Sequence, residues 1–351
     1  MGGLARKATM IDSLSKDNQP YLVIDSGNLF FEKENIDPGQ PMTKGKIYAE
    51  AMIQGFNIIG CDAFSPGPYD FAGGKDFLME NLYKKALFPF ISLNITDLDN
   101  ELLFDEFVIH NVGGQSVAFI GLTSIFQSPG IIVKEPLKVL DDFFNTNQLS
   151  ADIIILLGNL TPQDLSKIYN KNYPIDLIMD SKNGKLSSDG GNKNIPTYSL
   201  GKKGQRLFAF DITTVSNDND YVDINWCENT VNYYNGRLNN MKEQVANNLG
   251  LKSSDLIDLE KHYRNDSATL KRVEKYMNMI EDANQQLENA KNLISVSKYE
   301  LGEKGTNKVV PREDLDIIVT AAIKKEKESQ HPNMPDHKGR LPGDPHYNHS
   351  H

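Results

Sequence analysis

Over its first 230 or so residues the chain alternates short apolar runs with amphipathic stretches, and this limits the possible fold more than any other feature. "PYLVID", "FNIIGC", "FPFISLN", "ADIIILLGN" and "PIDLIMD" are nearly continuous in apolar residues, as strands covered on both faces are. Between them, "GKIYAEAMIQG", "GKDFLMENLYKK", "LKVLDDFFNTNQ" and "TPQDLSKIYNK" have helical spacing and polar faces. "EFVIHNVGGQSVAFIGLTS" reads as a hairpin closed by Gly113 and Gly114. "RLFAFDITTV" and "DYVDINWC" alternate with a period of two around "SNDND". Strand–helix alternation with antiparallel edges predicts an α/β fold, a layered sandwich.

With 351 residues the chain can bury a large core. Its net charge of −10 argues against a nucleic-acid surface, which needs clustered Lys and Arg. No apolar run reaches the roughly 18–20 residues that cross a bilayer. The two cysteines, Cys61 and Cys227, form no CxxC pair, and Cys61 reads as a small core residue. "MGGLARKATMIDSLSKD" is an amphipathic helix with Leu4, Ala8, Ile11 and Leu14 on one face, not a signal peptide. Because an α/β domain rarely opens on a bare helix, an upstream strand and any export signal are expected to lie outside this chain.

Three regions follow from the pattern: a sandwich over 1–229, a helical segment over 230–325, and a polar tail over 326–351. In the second, Val273, Tyr276, Met277, Ile280, Leu287, Ala290 and Ile294 make one apolar stripe, with Asp266 or Ser267 as N-cap and Gly302 as stop. The tail holds His331, His337, His346, His349 and His351 at spacings that match no standard zinc site.

"GGLARKATMIDSLSKDNQPYLVIDSGNLF" is similar to the opening of the 5′-nucleotidase branch of the calcineurin-like metallophosphoesterases, where a Gly-Gly-Leu-Ala-Arg helix leads to a strand ending Asp-Ala-Gly-Asp. "GFNIIGCDAFSPGPYDFAGGKDFL" resembles the stretch around Gly-Asn-His-Glu. "NVGGQSVAFIGLTS" resembles the Val-Gly-Gly hairpin, and "ADIIILLGNLTPQDL" the Leu-Ser-His-Leu segment. "PIDLIMDSKNGKL" falls at Gly-Gly-His-Thr-His, and "YSLGKKGQRLFAFDI" at the closing Ala-Gly-x-x-Gly strand. The resemblance spans residues 2–226 and implies a sandwich of two β-sheets flanked by helices. It extends to bacterial members associated with multihaem cytochromes.

The family's chemistry uses two divalent metals that polarise phosphate and activate a water. Carried across position by position, its opening Asp-x-His has no counterpart here. The bridging Asp falls on Asn28, Asn-His on Pro68 and Tyr69, Ser-His on Gly158 and Asn159, and His-Thr-His on Lys182, Asn183 and Gly184. Asp25 and Asp70 remain nearby, too few for a two-metal centre. Asp25 reads as a turn-forming carboxylate. The resemblance therefore implies a vestigial site at Asp25, Asn28, Tyr69, Asp70, Asn159 and Lys182, without metal or other cofactor.

No GxSxG, GxxxxGK[ST], HExxH or strand–helix GxGxxG is present. "SSDGGNK" reads as a loop, Lys202, Lys203 and Arg206 as a solvated hairpin end, and His110 as structural. Two functions stay open. One is a non-catalytic binding or structural subunit, whose protein partner would be a cytochrome or other electron-transfer protein docking at Met277, Ile280 and Leu287. The other is a phosphoesterase or 5′-nucleotidase with a rearranged site holding Mn, Zn or Fe. The acidic overall charge favours a basic partner surface. The family implies a periplasmic or extracellular location.

Overall fold

The computed structural model describes residues 3–15, 19–146, 149–182, 185–191, 194–201, 204–216, 220–255, 257–301 and 309–330. The chain opens with α1 (Leu4–Leu14), β1 (Ile24–Asp25), α2 (Gln40–Ile59), β2 (Ala63–Phe64) and the short α3 (Lys75–Phe77). Then come β3 (Ile95–Thr96), β4 (Phe107–Val112), β5 (Gln115–Thr123), β6 (Ile132–Val133), α4 (Pro136–Thr146) and β7 (Ile153–Asn159). The sandwich continues with α5 (Pro162–Tyr169), β8 (Leu177–Asp180), β9 (Thr197–Tyr198), β10 (Arg206–Thr213) and β11 (Tyr221–Asp223). Last are α6 (Ile224–Asn248), α7 (Leu259–His262), α8 (Ser267–Asn289), β12 (Asn292–Glu300) and α9 (Glu313–Gln330).

Two sheets face each other. One runs β4-β5-β7-β8-β9, antiparallel at β4–β5 and parallel elsewhere; the other runs β10-β12-β11. Phe119, Ile155, Leu157 and Leu177 of the first sheet pack with Phe210, Ile294 and Val296 of the second. The opposite face of the first sheet is covered by α4 and α5, through Leu140, Phe143 and Ile168. This is the two-sheet sandwich flanked by helices that the resemblance implied. The β4–β5 turn carries Gly113 and Gly114 at φ 58° and 82°, the left-handed pair a two-residue hairpin turn needs. The site end of the sandwich rests on an aromatic cluster of Phe30, Phe64, Phe88, Phe90 and Phe104.

Several expectations are corrected. "FNIIGC" is not a strand: α2 runs through Ile59, because Ile53 and Phe56 continue its buried helical stripe. "INWC" is helical, since Asp223 caps α6 by accepting the N–H of Trp226, so the helical region begins before residue 230. Asp266 does cap α8, but that helix ends at Asn289, and Gly302 lies outside the described residues. Ile294 therefore leaves the helical stripe. It is fully buried in β12, the middle strand of its sheet, where "NLISVSKYE" buries alternate residues. β10 and β11 do not pair with each other, because β12 lies between them. The tail boundary also moves. Residues 326–330 belong to α9, whose Glu326 accepts from Tyr48 at 2.6 Å and pairs with Lys44 at 3.1 Å. Arg312 bridges to Asp12 of α1 at 3.1 Å, so α9 is fastened against α1 and α2. The five tail histidines lie outside the described residues.

Candidate functional site

At the carboxyl end of β1 the chain turns sharply through Gly27 (φ 92°) and Asn28 (φ 59°). Both are left-handed, a conformation that glycine adopts freely and asparagine tolerates better than most residues. A Cβ at Gly27 would lie 2.2 Å from the carbonyl oxygen of Ser65. The turn therefore sits directly on the backbone of 65–67.

Asp70 holds that junction. Its side chain is fully buried, and its two oxygens accept four backbone N–H groups: Asn28 at 2.7 Å, Leu29 at 2.8 Å, Phe30 at 2.9 Å and Gly67 at 2.8 Å. Asn28 reciprocates, its Oδ1 accepting the N–H of Tyr69 at 3.0 Å. Burial pushes the Asp70 carboxyl up to about 6, and the four N–H bonds act in the opposite direction. Tyr69 joins the site through its backbone; no hydrogen bond of its phenol is found among the described residues.

Asn159, at the end of β7, donates from Nδ2 to Ser181 Oγ at 2.8 Å, and Ser181 Oγ donates to the carbonyl of Ser26 at 2.6 Å. Among the described residues Asn159 Oδ1 is buried without a hydrogen-bond partner. Gly67 lies beside both amides: a Cβ there would come 2.6 Å from Asn28 Oδ1 and 3.1 Å from Asn159 Cγ. Asp25 Oδ1 accepts the N–H of Gly27 at 3.0 Å, the turn role expected for it, and Oδ2 lies 4.0 Å from Lys7 Nζ. Burial raises the Asp25 carboxyl, and Lys7 and the Gly27 N–H hold it back. Lys182 is exposed at the site's edge, and its N–H lies 3.3 Å from Asp180 Oδ1. Asn183 and Gly184 are outside the described residues.

The structure thus brings together Asp25, Asn28, Tyr69, Asp70 and Asn159, with Lys182 at the rim. Sequence reasoning missed Lys7, Ser26, Gly67 and Ser181, which contribute an ammonium charge, backbone, space and one hydroxyl and carry no motif. Arg206 is paired with Glu300 at 2.6 Å, while Lys202 and Lys203 lie outside the described residues. His110 Nε2 lies 2.9 Å from the carbonyl oxygen of Asp62. Met277 is exposed, while Ile280 and Leu287 are half-buried. Burial raises the thiol pKa of both cysteines.

Two divalent cations do not fit this donor set. A carboxylate offers about four lone-pair sites, and Asp70 already uses its oxygens on four N–H groups. Asn28 and Asn159 supply neutral amide oxygens, and Asp25 faces a lysine. Among the described residues no group of three or more His, Cys, Asp or Glu is arranged to hold a metal. No described helix is long and apolar enough to cross a membrane.

No family model matches the chain. Among curated proteins it is similar to the venom 5′-nucleotidase of Gloydius brevicauda, 25% identical over 197 residues, 51% of this chain and 31% of that protein. The 5′-nucleotidase of Mus musculus is 26% identical over 172 residues, 45% of this chain and 28% of its own length. The chain thus spans under a third of these relatives. Among solved structures, a calcineurin-like phosphoesterase from Bacillus subtilis aligns with a TM-score of 0.49 and 19% identity, covering 62% of this chain and 78% of that one. The chain is similar in sequence to the 5′-nucleotidase branch of the calcineurin-like metallophosphoesterases.

Proposed function

We propose that this chain is a non-catalytic 5′-nucleotidase-like domain acting as a binding or structural subunit for another protein. One observation carries the reading. Beside positions 28 and 69, where the resemblance implies metal ligands, the lone pairs of Asp70 are spent on four backbone N–H groups and its neighbour is a neutral asparagine. Such an arrangement stabilises loops; it does not concentrate negative charge for cations.

The test is hydrolysis of AMP and p-nitrophenyl phosphate by the purified chain with excess Mn²⁺ or Zn²⁺. No turnover above background is expected; turnover abolished by a chelator would overturn the reading. The alternative, a phosphoesterase with a single rearranged Mn, Zn or Fe site, has the unpartnered Asn159 Oδ1 in its favour. Metal retained by the purified chain and lost in Asn159→Leu would support it.

The partner would be a cytochrome or other electron-transfer protein. The exposed Met277 and half-buried Ile280 and Leu287 on α8 form one edge for it. We place the protein outside the cytoplasm, following relatives that include venom proteins. Fractionation of the source cells tests this, and recovery from the cytosol alone would refute it.

A further inference from the structure

Helices α6 and α8 lie side by side as a hairpin inserted between β11 and β12. With 25 and 23 residues they extend roughly 35 Å. The far end has a small core of its own, built from Val245, Ala246, Ile257, Leu259 and Val273. A hairpin fastened at one end and packed internally at the other presents its flanks to solvent.

Charge along this hairpin is segregated. Residues 224–236 and 276–289, next to the sandwich, carry four Asp or Glu and no Lys or Arg. Residues 237–275 carry eight Lys or Arg against six Asp or Glu, in a chain whose net charge is −10. The distal half is thus locally basic although the protein is acidic.

A groove of about 340 Å³ opens on this distal half, with Arg237, Gln244 and Asn247 from α6 and Arg272 and Tyr276 from α8 among its walls. The Tyr276 phenol beside Arg237 holds its guanidinium pKa above the ordinary value. Tyr276 continues into an aromatic chain with Tyr234 at 5.2 Å and the exposed Tyr233 at 5.0 Å beyond it. Among the described residues neither arginine has a carboxylate within 4.0 Å, and the one acidic wall residue, Glu243, is exposed. Arg and Tyr are the residue types that dominate protein-binding hot spots. Unpaired guanidinium groups select carboxylates by bidentate hydrogen bonding.

We infer that this groove is a docking site for an acidic segment of a partner protein, its carboxylates on Arg237 and Arg272 and an adjoining apolar or aromatic side chain on the tyrosines. The inference deepens the binding-subunit reading by naming a surface and its chemistry, and at this locally basic groove it replaces the basic partner surface expected from the overall charge with an acidic one. It stands or falls separately from hydrolysis, because the groove is built by the hairpin and not by the Asp70 junction.

The experiment selects short random peptides, displayed on phage, against the full chain and against Arg237→Ala/Arg272→Ala. Recovered sequences are expected to be rich in Asp and Glu beside aromatic or aliphatic residues. The double substitution should weaken their binding by at least about ten-fold, more so at low salt. Both arginines are exposed, so the variant should keep its melting temperature, which is checked by circular dichroism. Recovery of basic or uncharged peptides, no recovery, or equal binding to the variant would overturn the inference. So would arginine-dependent binding of a single-stranded oligonucleotide or inorganic phosphate without acidic peptides, which would assign the groove to phosphate. Turnover in the hydrolysis assay would remove the non-catalytic reading and leave this result unchanged.

Discussion

Asp70 and Asn28 clasp each other's loops: Asp70 Oδ2 accepts the N–H of Asn28 at 2.7 Å, and Asn28 Oδ1 accepts the N–H of Tyr69, next to Asp70, at 3.0 Å. Each side chain thereby satisfies the backbone of the other's segment. A buried carboxylate with four N–H donors is costly to disturb, because removing it orphans all four.

Asp70→Asn keeps one acceptor oxygen but turns an NH₂ group toward backbone donors. We expect a loss of about 2–4 kcal/mol in unfolding free energy, measured by urea denaturation. A loss below about 0.5 kcal/mol, the range of ordinary surface substitutions, would show that the clasp is not a structural keystone.

Stability should also depend on pH through this group. Asp70 and Asp176 are both raised by burial, from 3.8 to about 6. Between those values the folded chain holds protons that the unfolded chain has released. Their contribution is therefore fully present below about pH 4 and lost as pH rises through 6. Asp141 and Glu326, held low by hydrogen bonds from Tyr173 and Tyr48, work in the opposite direction. The difference in melting temperature between wild type and Asp70→Asn/Asp176→Asn isolates the effect. It should be largest at the acid end and shrink toward pH 7.

Placing the residues that the resemblance implies at these positions should introduce metal binding before chemistry. Asn28→Asp with Tyr69→His, Asn159→His and Lys182→His is expected to bind Mn²⁺ more tightly by calorimetry. It should not turn over AMP, because Asp70 remains committed to the backbone and position 182 sits at the exposed rim. It should also be less stable without metal, since Asn28→Asp sets a second carboxylate against Asp70. Unchanged metal affinity would mean that the positions do not converge as described.

Two positions of the predicted stripe should separate sharply. Ile294→Ala, fully buried in β12, should cost about 2–5 kcal/mol, whereas Met277→Ala, 42% exposed on α8, should cost little. Equal costs, measured by chemical denaturation, would contradict the strand assignment.

Much was legible in local pattern. The runs at β5, β7 and β8, the Gly113–Gly114 turn, the Asp266 cap and the α1 stripe at Leu4, Ala8 and Ile11, though not at the exposed Leu14, are short-range properties, decided by periodicity, turn geometry and one hydrogen bond. That positions 28, 69 and 159 carry neither carboxylate nor imidazole was equally readable, because residue type alone settles it. What needed the fold was everything decided between distant segments. "ENAKNLISVSKYE" can extend a helix or form a strand, and only the vacancy between β10 and β11 decided for β12. "EKESQ" looks like tail until Lys44 and Tyr48 meet Glu326. Asp70 looked like a spare carboxylate. Its role exists only because tertiary packing brings the N–H groups of residues 28–30 to a side chain forty positions on, where burial makes every unpaired donor costly.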